Sequence, residues 1–491
     1  AVAYVDPAVP GEVRSVLDTR EPGALQSLVE RHRSLFSRDD ELLVVVLAIG
    51  PRGPAPASVV SGIVVAAGVP DELFPEEGQP GSLTSDSTRR NGVVTGGDVR
   101  ATLISYLGKA PIVAGEFAPG EPIRVIDGPP PFDLHERYLA QRRMYVPIGT
   151  AAALYVTGAG LFAVAFLVWR RSVPTLWRRA AGWAALSVPM LAAGLLAAGH
   201  LPELSYRTAI PMVAIVTVFG TLAFSPLERE DATLVPAGIG IAVLAFFVFE
   251  AAIGWTAMLT PLLGGSQLDG GRFHGLPNVA IGLLVGASMW IAQRLSTQAG
   301  IALACVVALF AGLPFVGANL GGAVTLFAAA GLWFAVRERG RLGIWWGAAA
   351  FLGVTGLGSA VILVAHALSP VATHVTRFER QVEGIAGVLD RYVDRLQVGF
   401  DLIARSPAAL VPVLGLPVAL YVVLRPPAPI RSTFERWPAW RDAVLVTVLA
   451  GFVAYLVNDS GPAAAGLAFG LALGGMIGVS LLAPTGKMVA P

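Results

Sequence analysis

Several side chains in this sequence are spaced so that they could bind or transfer a charged group. In residues 264–287, GGSQLDGGRFHGLPNVAIGLLVGA, Asp269, Arg272, His274 and Asn278 fall within ten residues and run directly into an apolar stretch. The Gly and Pro residues around them let backbone approach a ligand closely, or break a helix inside a protected cavity. A second group, in THVTRFER, spaces His374, Arg377 and Arg380 by three, which puts them on one helical face. Histidine accepts a proton near neutral pH and arginine matches diphosphate oxygens, so the two groups together could hold and activate a lipid-linked phosphate donor. In that reading His274 and His374 are the candidate catalytic groups. Arg272, Asp269, Asn278, Arg377 and Arg380 bind substrate, with Glu250 and Asn319 completing the site. A carboxylate within a membrane span costs about 2.5–3.5 kcal/mol at mid-depth, which makes Glu250 a functional candidate by default. It lies four residues before Gly254, at the edge of its apolar run, where it can instead reach the interface or bond to the loop at 269–274. Two plainer readings stand beside this one: a Gly-rich re-entrant loop that satisfies its own backbone, and solvated charges on a covering helix.

The elements that must position these residues are set by composition. The chain is 491 residues long, 54% apolar and only 14% charged, with a mean hydropathy of +0.65. Soluble proteins carry about 25% charged residues, so this is a polytopic membrane protein, and a soluble enzyme, a disordered scaffold and a disulfide module are excluded. Thirty-five basic against 34 acidic side chains give a net charge of +1, which provides no electrostatic footprint for nucleic acid. The single cysteine, Cys305, sits in an apolar run, so neither an internal disulfide nor a cysteine zinc cage can form. No cofactor and no metal site are expected. The chain opens at Ala1 without a basic, apolar leader, so any targeting signal has been removed or lies outside this sequence.

Composition changes near residue 144. Residues 1–143 are mixed and punctuated by Pro and Gly, whereas most of the remainder comes in apolar runs of about 20 residues, the length of a membrane span. Eleven runs are expected to be transmembrane helices, at 145–169, 181–199, 208–225, 233–254, 278–294, 300–316, 319–336, 343–366, 407–424, 440–457 and 461–483. The first eight fill residues 144–366, an amphipathic segment occupies 367–406, and the last three lie in 407–491. The pair flanking Gly317 reads either as two helices or as one broken helix.

Arginine and lysine in short loops are retained on the cytoplasmic side. The loops after the odd-numbered runs carry Arg170, Arg171, Arg178 and Arg179; Arg229; Arg294; Arg337, Arg339 and Arg341; and Arg425, Arg431, Arg436 and Arg441, with Lys487 after the last run. The opposite loops hold Arg207, Arg272 and the mixed-sign segment 369–406. The expected protein is therefore multipass in a bacterial plasma membrane, with residues 1–143 and 369–406 extracytoplasmic and the C-terminus cytoplasmic.

In the N-terminal region, LLVVVLAI at 42–49 and GIVVAA at 62–67 read as buried parallel strands, while 25–35 and 97–107 show helical spacing, which implies a small α/β domain. In 369–406 the apolar residues Val382, Ile385, Val388, Leu389, Tyr392, Val393 and Leu396 recur at three- and four-residue steps, the pattern of an amphipathic helix. It could cover a cavity, dock the N-terminal domain, or serve as a solvated connector.

One stretch of the N-terminal region carries a resemblance. LTSDSTRRNGVV, followed by Asp98 and Thr102, is similar to the later half of an alkaline-phosphatase-like domain, of the kind fused ahead of a multipass region in uncharacterised bacterial membrane proteins. That resemblance implies a domain chemistry of two metal ions held by Asp and His, with a Ser or Thr nucleophile. Here only His32 and His135 are available, and the strand that would deliver the nucleophile is absent. Asp86, Arg89, Arg90 and Asp98 match the motif without a metal role. Either the domain is degenerate, with Arg89 and Arg90 pairing with carboxylates, or a partner protein supplies the other half. The loop at 264–287 and GLPFVGANLGG at 312–322 resemble the membrane part of the same proteins. The loop's Arg, Gly and Pro-Asn also resemble the O-antigen ligase and polymerase group of membrane glycosyltransferases.

Three functions follow from these features. The first is a metal-independent envelope enzyme acting on a lipid-phosphate-linked glycan at the extracytoplasmic face. The second is a non-catalytic membrane subunit or anchor whose N-terminal domain binds a partner protein. The third is a transporter or flippase, which the Gly-rich spans favour and the scarcity of ionisable residues within spans disfavours.

Overall fold

The computed structural model describes residues 42–47, 62–67, 81–95, 98, 101–102, 120–127, 134–169, 172–264, 266–269, 273–369, 393, 397, 407–458 and 461–484. The chain divides into two compact units, one of Ala1–Leu139 with Leu268–Phe273, the other of Ala140–Gln267 with His274–Pro491.

Among the described residues, the first unit contains two separate two-stranded sheets. Strands β1 (Leu42–Leu47) and β2 (Gly62–Ala67) pair antiparallel, with Leu42 opposite Ala67. This corrects the parallel arrangement expected from their apolar runs. An apolar run of strand length fits either direction, so the pattern did not decide between them. Strands β3 (Gly81–Thr84) and β4 (Arg124–Asp127) are likewise antiparallel. Asp98 explains much of the motif after β3. It is fully buried and accepts hydrogen bonds from Ser85 Oγ at 2.8 Å, the Thr95 amide at 2.7 Å and the Glu121 amide at 2.9 Å. Thr88 Oγ1 donates to the Val93 carbonyl at 2.7 Å. The Ser, Thr and Asp of the motif thus close a polar knot around one carboxylate. Arg90 Nε donates to the Phe273 carbonyl at 2.8 Å, and Asp86 pairs with Arg124. Of residues 97–107, the described Asp98, Ala101 and Thr102 are helical; residues 25–35 lie outside the described residues.

The second unit is helical, and each of the eleven apolar runs becomes a helix or a helix pair. In chain order these are α1 (Leu134–Val168), which begins in the first unit, α2 (Thr175–Leu186), α3 (Val188–Ala197), α4 (Tyr206–Leu222), α5 (Leu234–Ala252), α6 (Asn278–Ala292), α7 (Thr297–Gly312), α8 (Leu320–Arg337), α9 (Arg339–Ala367), α10 (Pro407–Leu424), an added short helix α11 (Ala428–Arg436), α12 (Pro438–Val457) and α13 (Gly461–Leu482). The protein is an integral, multipass, helical membrane protein. Among the described residues seven helices are long and apolar enough to cross a bilayer, and eight if α2 and α3 are one span. The three helices that separate these eight from the expected eleven are α6 and α7, with 15 and 16 residues, and α10, which enters the count as the shorter segment Gly415–Leu424. At 1.5 Å per residue such helices are shorter than a hydrocarbon core of about 30 Å. For α6 the reason is clear: almost every residue is buried, so its uniform apolarity belongs to the middle of a bundle rather than to a lipid-facing span. Lipid-facing surface is instead supplied by α1 and α9, where Leu154, Leu161, Phe162, Leu352, Leu357 and Val364 are exposed.

The expected alternative of a broken helix at Gly317 is not what the chain does. Gly300 abuts Trp333 and Gly312 abuts Ala323, so α7 and α8 run antiparallel as a hairpin. The bend lies elsewhere, at Ser187, where α2 and α3 meet at 45°. Small residues permit the closest helix crossings. A Cβ at Gly282 of α6 would lie 2.2 Å from the Ala464 carbonyl oxygen of α13, whereas one at Gly466 meets nothing within 4 Å. Gly282→Ala should therefore destabilise the bundle by about 1–3 kcal/mol through overpacking, and Gly466→Ala should leave it unchanged. Thermal unfolding of the two variants in detergent checks the contrast.

The two ends of the bundle carry different polar chemistry. At one end, arginines pair with carboxylates: Arg179 with Glu228 at 2.8 Å, Arg294 with Asp231 at 2.8 Å, and Asp442 with both Arg337 and Arg339 at 3.3 and 2.8 Å. Asp231 titrates below the ordinary carboxylate range: burial pushes its pKa up, but hydrogen bonds from the Thr233 amide and hydroxyl and from Arg294 outweigh that and pull it down. The opposite end gathers histidine, asparagine and Glu250.

Candidate functional site

Within the second unit, the histidine-bearing end is built by two stretches of irregular backbone, the described residues of 253–267 with 274–277 before α6, and residues 313–319 before α8. Asn319 joins them. It is fully buried and caps α8, its Oδ1 accepting from the Gly322 amide at 2.8 Å. Its Nδ2 donates to the Leu276 carbonyl and to Asn278 Oδ1, both at 3.0 Å. One side chain thereby ties the starts of α6 and α8 together. The sequence reading placed both asparagines in one site, and the structure brings these two side chains into contact.

Backbone conformation supports the same junction. Gly275 has φ +89°, and a Cβ there would lie 2.2 Å from the Gly317 carbonyl oxygen. The next residue, Leu276, donates its amide to that oxygen at 2.8 Å. Gln267 Nε2 donates to the Gly275 carbonyl at 2.6 Å, and Trp255 Nε1 donates to the Val316 carbonyl at 2.9 Å. Trp255 and Ala318 both adopt left-handed backbone, at φ 62° and 48°, a strained choice for residues with a Cβ. Several backbone groups of both loops are thus satisfied by protein, as irregular backbone must be wherever water is scarce.

Glu250, at the end of α5, is fully buried. One carboxylate oxygen accepts from the Ala257 amide at 3.0 Å and the other pairs with His200 Nε2. Neither of the expected arrangements, reaching the interface or bonding to the loop at 269–274, describes it. Its partner comes from the 3₁₀ turn Ala198–His200 after α3. A side chain at Gly199 would sit 2.0 Å from the Ala257 carbonyl oxygen, so glycine allows the two turns to touch. His200 is 28% exposed, and its carboxylate partner is wholly sheltered. A buried carboxylate holding an imidazole is the arrangement that fixes a tautomer and supports a general base. His200 was not among the residues singled out by sequence. Its signal was available: a histidine after glycine at the end of an apolar run.

Two further groups lie at this end. His366, fully buried in α9, has Nε2 2.9 Å from the Gly312 carbonyl oxygen. Asn458, at the end of α12, donates from Nδ2 to the Ala454 carbonyl at 3.0 Å and to Thr325 Oγ1 at 3.3 Å. Its Oδ1 is buried without a hydrogen-bond partner among the described residues, and Gly321 leaves room for it, since a Cβ there would be 2.7 Å away.

The remaining expected residues are placed as follows. His274 is partly buried, with both ring nitrogens shut off from solvent. Asp269 ends the 3₁₀ turn Gln267–Asp269 and belongs to the first unit. Arg272, His374, Arg377 and Arg380 lie outside the described residues, as does the amphipathic segment except for Val393 and Gln397, which are helical and exposed. Among the described residues no three His, Cys, Asp or Glu side chains are grouped to hold a metal ion. No family, no curated protein and no solved structure matches this chain.

Proposed function

We propose that this membrane protein belongs to the bacterial cell envelope and handles a lipid-phosphate-linked glycan at the extracytoplasmic face, in a transfer that needs no metal. The observation that carries the reading is the Asn319 junction. It anchors Leu276 and Asn278, just after His274 in sequence, at the N-termini of two buried helices, at the end of the bundle where His200, Glu250, His366 and Asn458 also gather. Helix N-termini favour anions. Arginine supplies the forked donor for a diphosphate and histidine the proton transfer. The arginine-carboxylate pairs at the other end support assigning that end to the cytoplasm, because arginine is the residue retained there.

The test is transfer of a lipid-diphosphate-linked glycan by the full chain reconstituted in vesicles. Arg272→Ala, His274→Ala and Arg377→Ala, made singly, are each expected to lower the rate by about 100-fold, the scale of one lost acid-base or phosphate-holding group, with unfolding temperature unchanged. Undiminished transfer in all three contradicts the assignment.

A further inference from the structure

At the arginine-rich end, Arg178 has a different environment from its neighbours. It lies in the first turns of α2 and is only 7% exposed, and its Nε is shut off from solvent with no hydrogen-bond acceptor among the described residues. Next to it, Arg179 is half exposed and paired with Glu228. The helices that contact α2 most are α3, α4 and α13, none of which contains an aspartate or a glutamate, and the carboxylate of Glu228 is taken by Arg179. A guanidinium cannot shed its charge at any ordinary pH, so it must meet an anion or remain uncompensated.

Geometry defines where that anion would sit. Gly182, one turn after Arg178 and on the same face, touches Leu482 at the end of α13, and Ala185 and Leu186 touch Gly474 and Gly478. The helices are therefore antiparallel, and Arg178 lies one turn beyond the last of those contacts. Side chains on a helix tilt toward its N-terminus, which carries the Arg178 head group back over the first turn of α2. That turn starts at Pro174 with no side-chain cap, so its amides and the positive end of the helix dipole face the same place. The last carbonyls of α13 contribute partial negative charge but no full countercharge. Around this point Trp169, Leu176 and Trp177 are exposed, the ring of apolar and indole side chains expected at a lipid headgroup boundary.

We infer that Arg178 and the uncapped N-terminus of α2 form a binding site for a phosphate anion, supplied by a phospholipid headgroup or by free phosphate. The inference is independent of the proposed glycan transfer and lies at the other end of the bundle.

The experiment uses the full chain in a maltoside detergent, which contains no phosphate, and follows the unfolding temperature as phosphatidylglycerol or inorganic phosphate is added. The unfolding temperature of the unaltered protein is expected to rise with at least one of them. Arg178→Gln is expected to shift the titration midpoint about tenfold or more, the loss of one charge-assisted pair, and Arg178→Lys to shift it less. Without added phosphate, Arg178→Gln should be as stable as the parent, because it removes an uncompensated charge. Arg431→Gln, an exposed arginine at the same end, should titrate like the parent. A response to phosphatidylglycerol alone identifies a headgroup, and a response to inorganic phosphate identifies the free anion. No response to either, or an unshifted midpoint in Arg178→Gln, overturns the inference.

Discussion

Truncating Asn319 to alanine is expected to destabilise the bundle by about 3–5 kcal/mol, the largest effect of any single polar substitution discussed here. The change removes three bonds at once and leaves the Leu276 carbonyl, the Gly322 amide and Asn278 Oδ1 without their partner. Each buried group left unsatisfied costs about 1–3 kcal/mol, and a lost N-cap alone accounts for about 1 kcal/mol. Water has little access to the junction, so it cannot replace the amide. Asn278→Ala removes only one of these bonds and should cost about 1 kcal/mol. Unfolding in detergent, with the two variants side by side, measures the ratio. Equal effects would mean that Asn319 does not unite the two loops.

The second large effect is expected at Glu250. Glu250→Ala strands the buried Ala257 amide and leaves His200 without its carboxylate, for a combined loss of about 3 kcal/mol. His200→Ala should be milder, about 1 kcal/mol, because the imidazole is partly exposed and the Ala257 bond survives. The asymmetry is informative about function. If the pair only clasps two turns, His200→Ala lowers stability and leaves transfer intact. If the imidazole also works as a base, transfer falls about 100-fold or more on top of the same modest loss of stability. Measuring both quantities on one preparation of His200→Ala separates the two roles.

The helices were legible because apolar runs of span length have one reading in a chain so poor in charge, and nearly every boundary falls within a few residues of its run. What a run does not reveal is whether lipid or protein surrounds it. The residues of α6 are as apolar as those of α9, yet α6 is buried on all sides and α9 is not. The strand runs were equally ambiguous about direction, since an apolar run serves a parallel or an antiparallel pair alike, and β1 and β2 pair antiparallel. At the candidate site, Asn278 and Asn319 were recognised and their meeting is visible, because both precede buried apolar helices at the same end. The partner of Glu250 was not legible. A contact across 50 residues between two turns depends on Gly199 allowing backbone to approach backbone, and spacing along a sequence does not encode that. The LTSDSTRR stretch is a further case: its residues match a motif without an assigned role, and Ser85 bonds to the buried Asp98 in a knot that pairing along the sequence does not reveal.

The most direct test of the account is which end of the bundle faces the outside of the cell. Cys305 is the single cysteine, so replacing it with serine gives a background for new reporter cysteines. Glu203→Cys sits exposed in the turn beside His200, and Ser432→Cys sits exposed on α11 at the arginine-rich end. A membrane-impermeant maleimide applied to intact cells should label position 203 at once and position 432 only after permeabilisation. Labelling of 432 in intact cells, with 203 protected until the membrane is opened, would place the histidine-bearing end in the cytoplasm and contradict the proposed extracytoplasmic site.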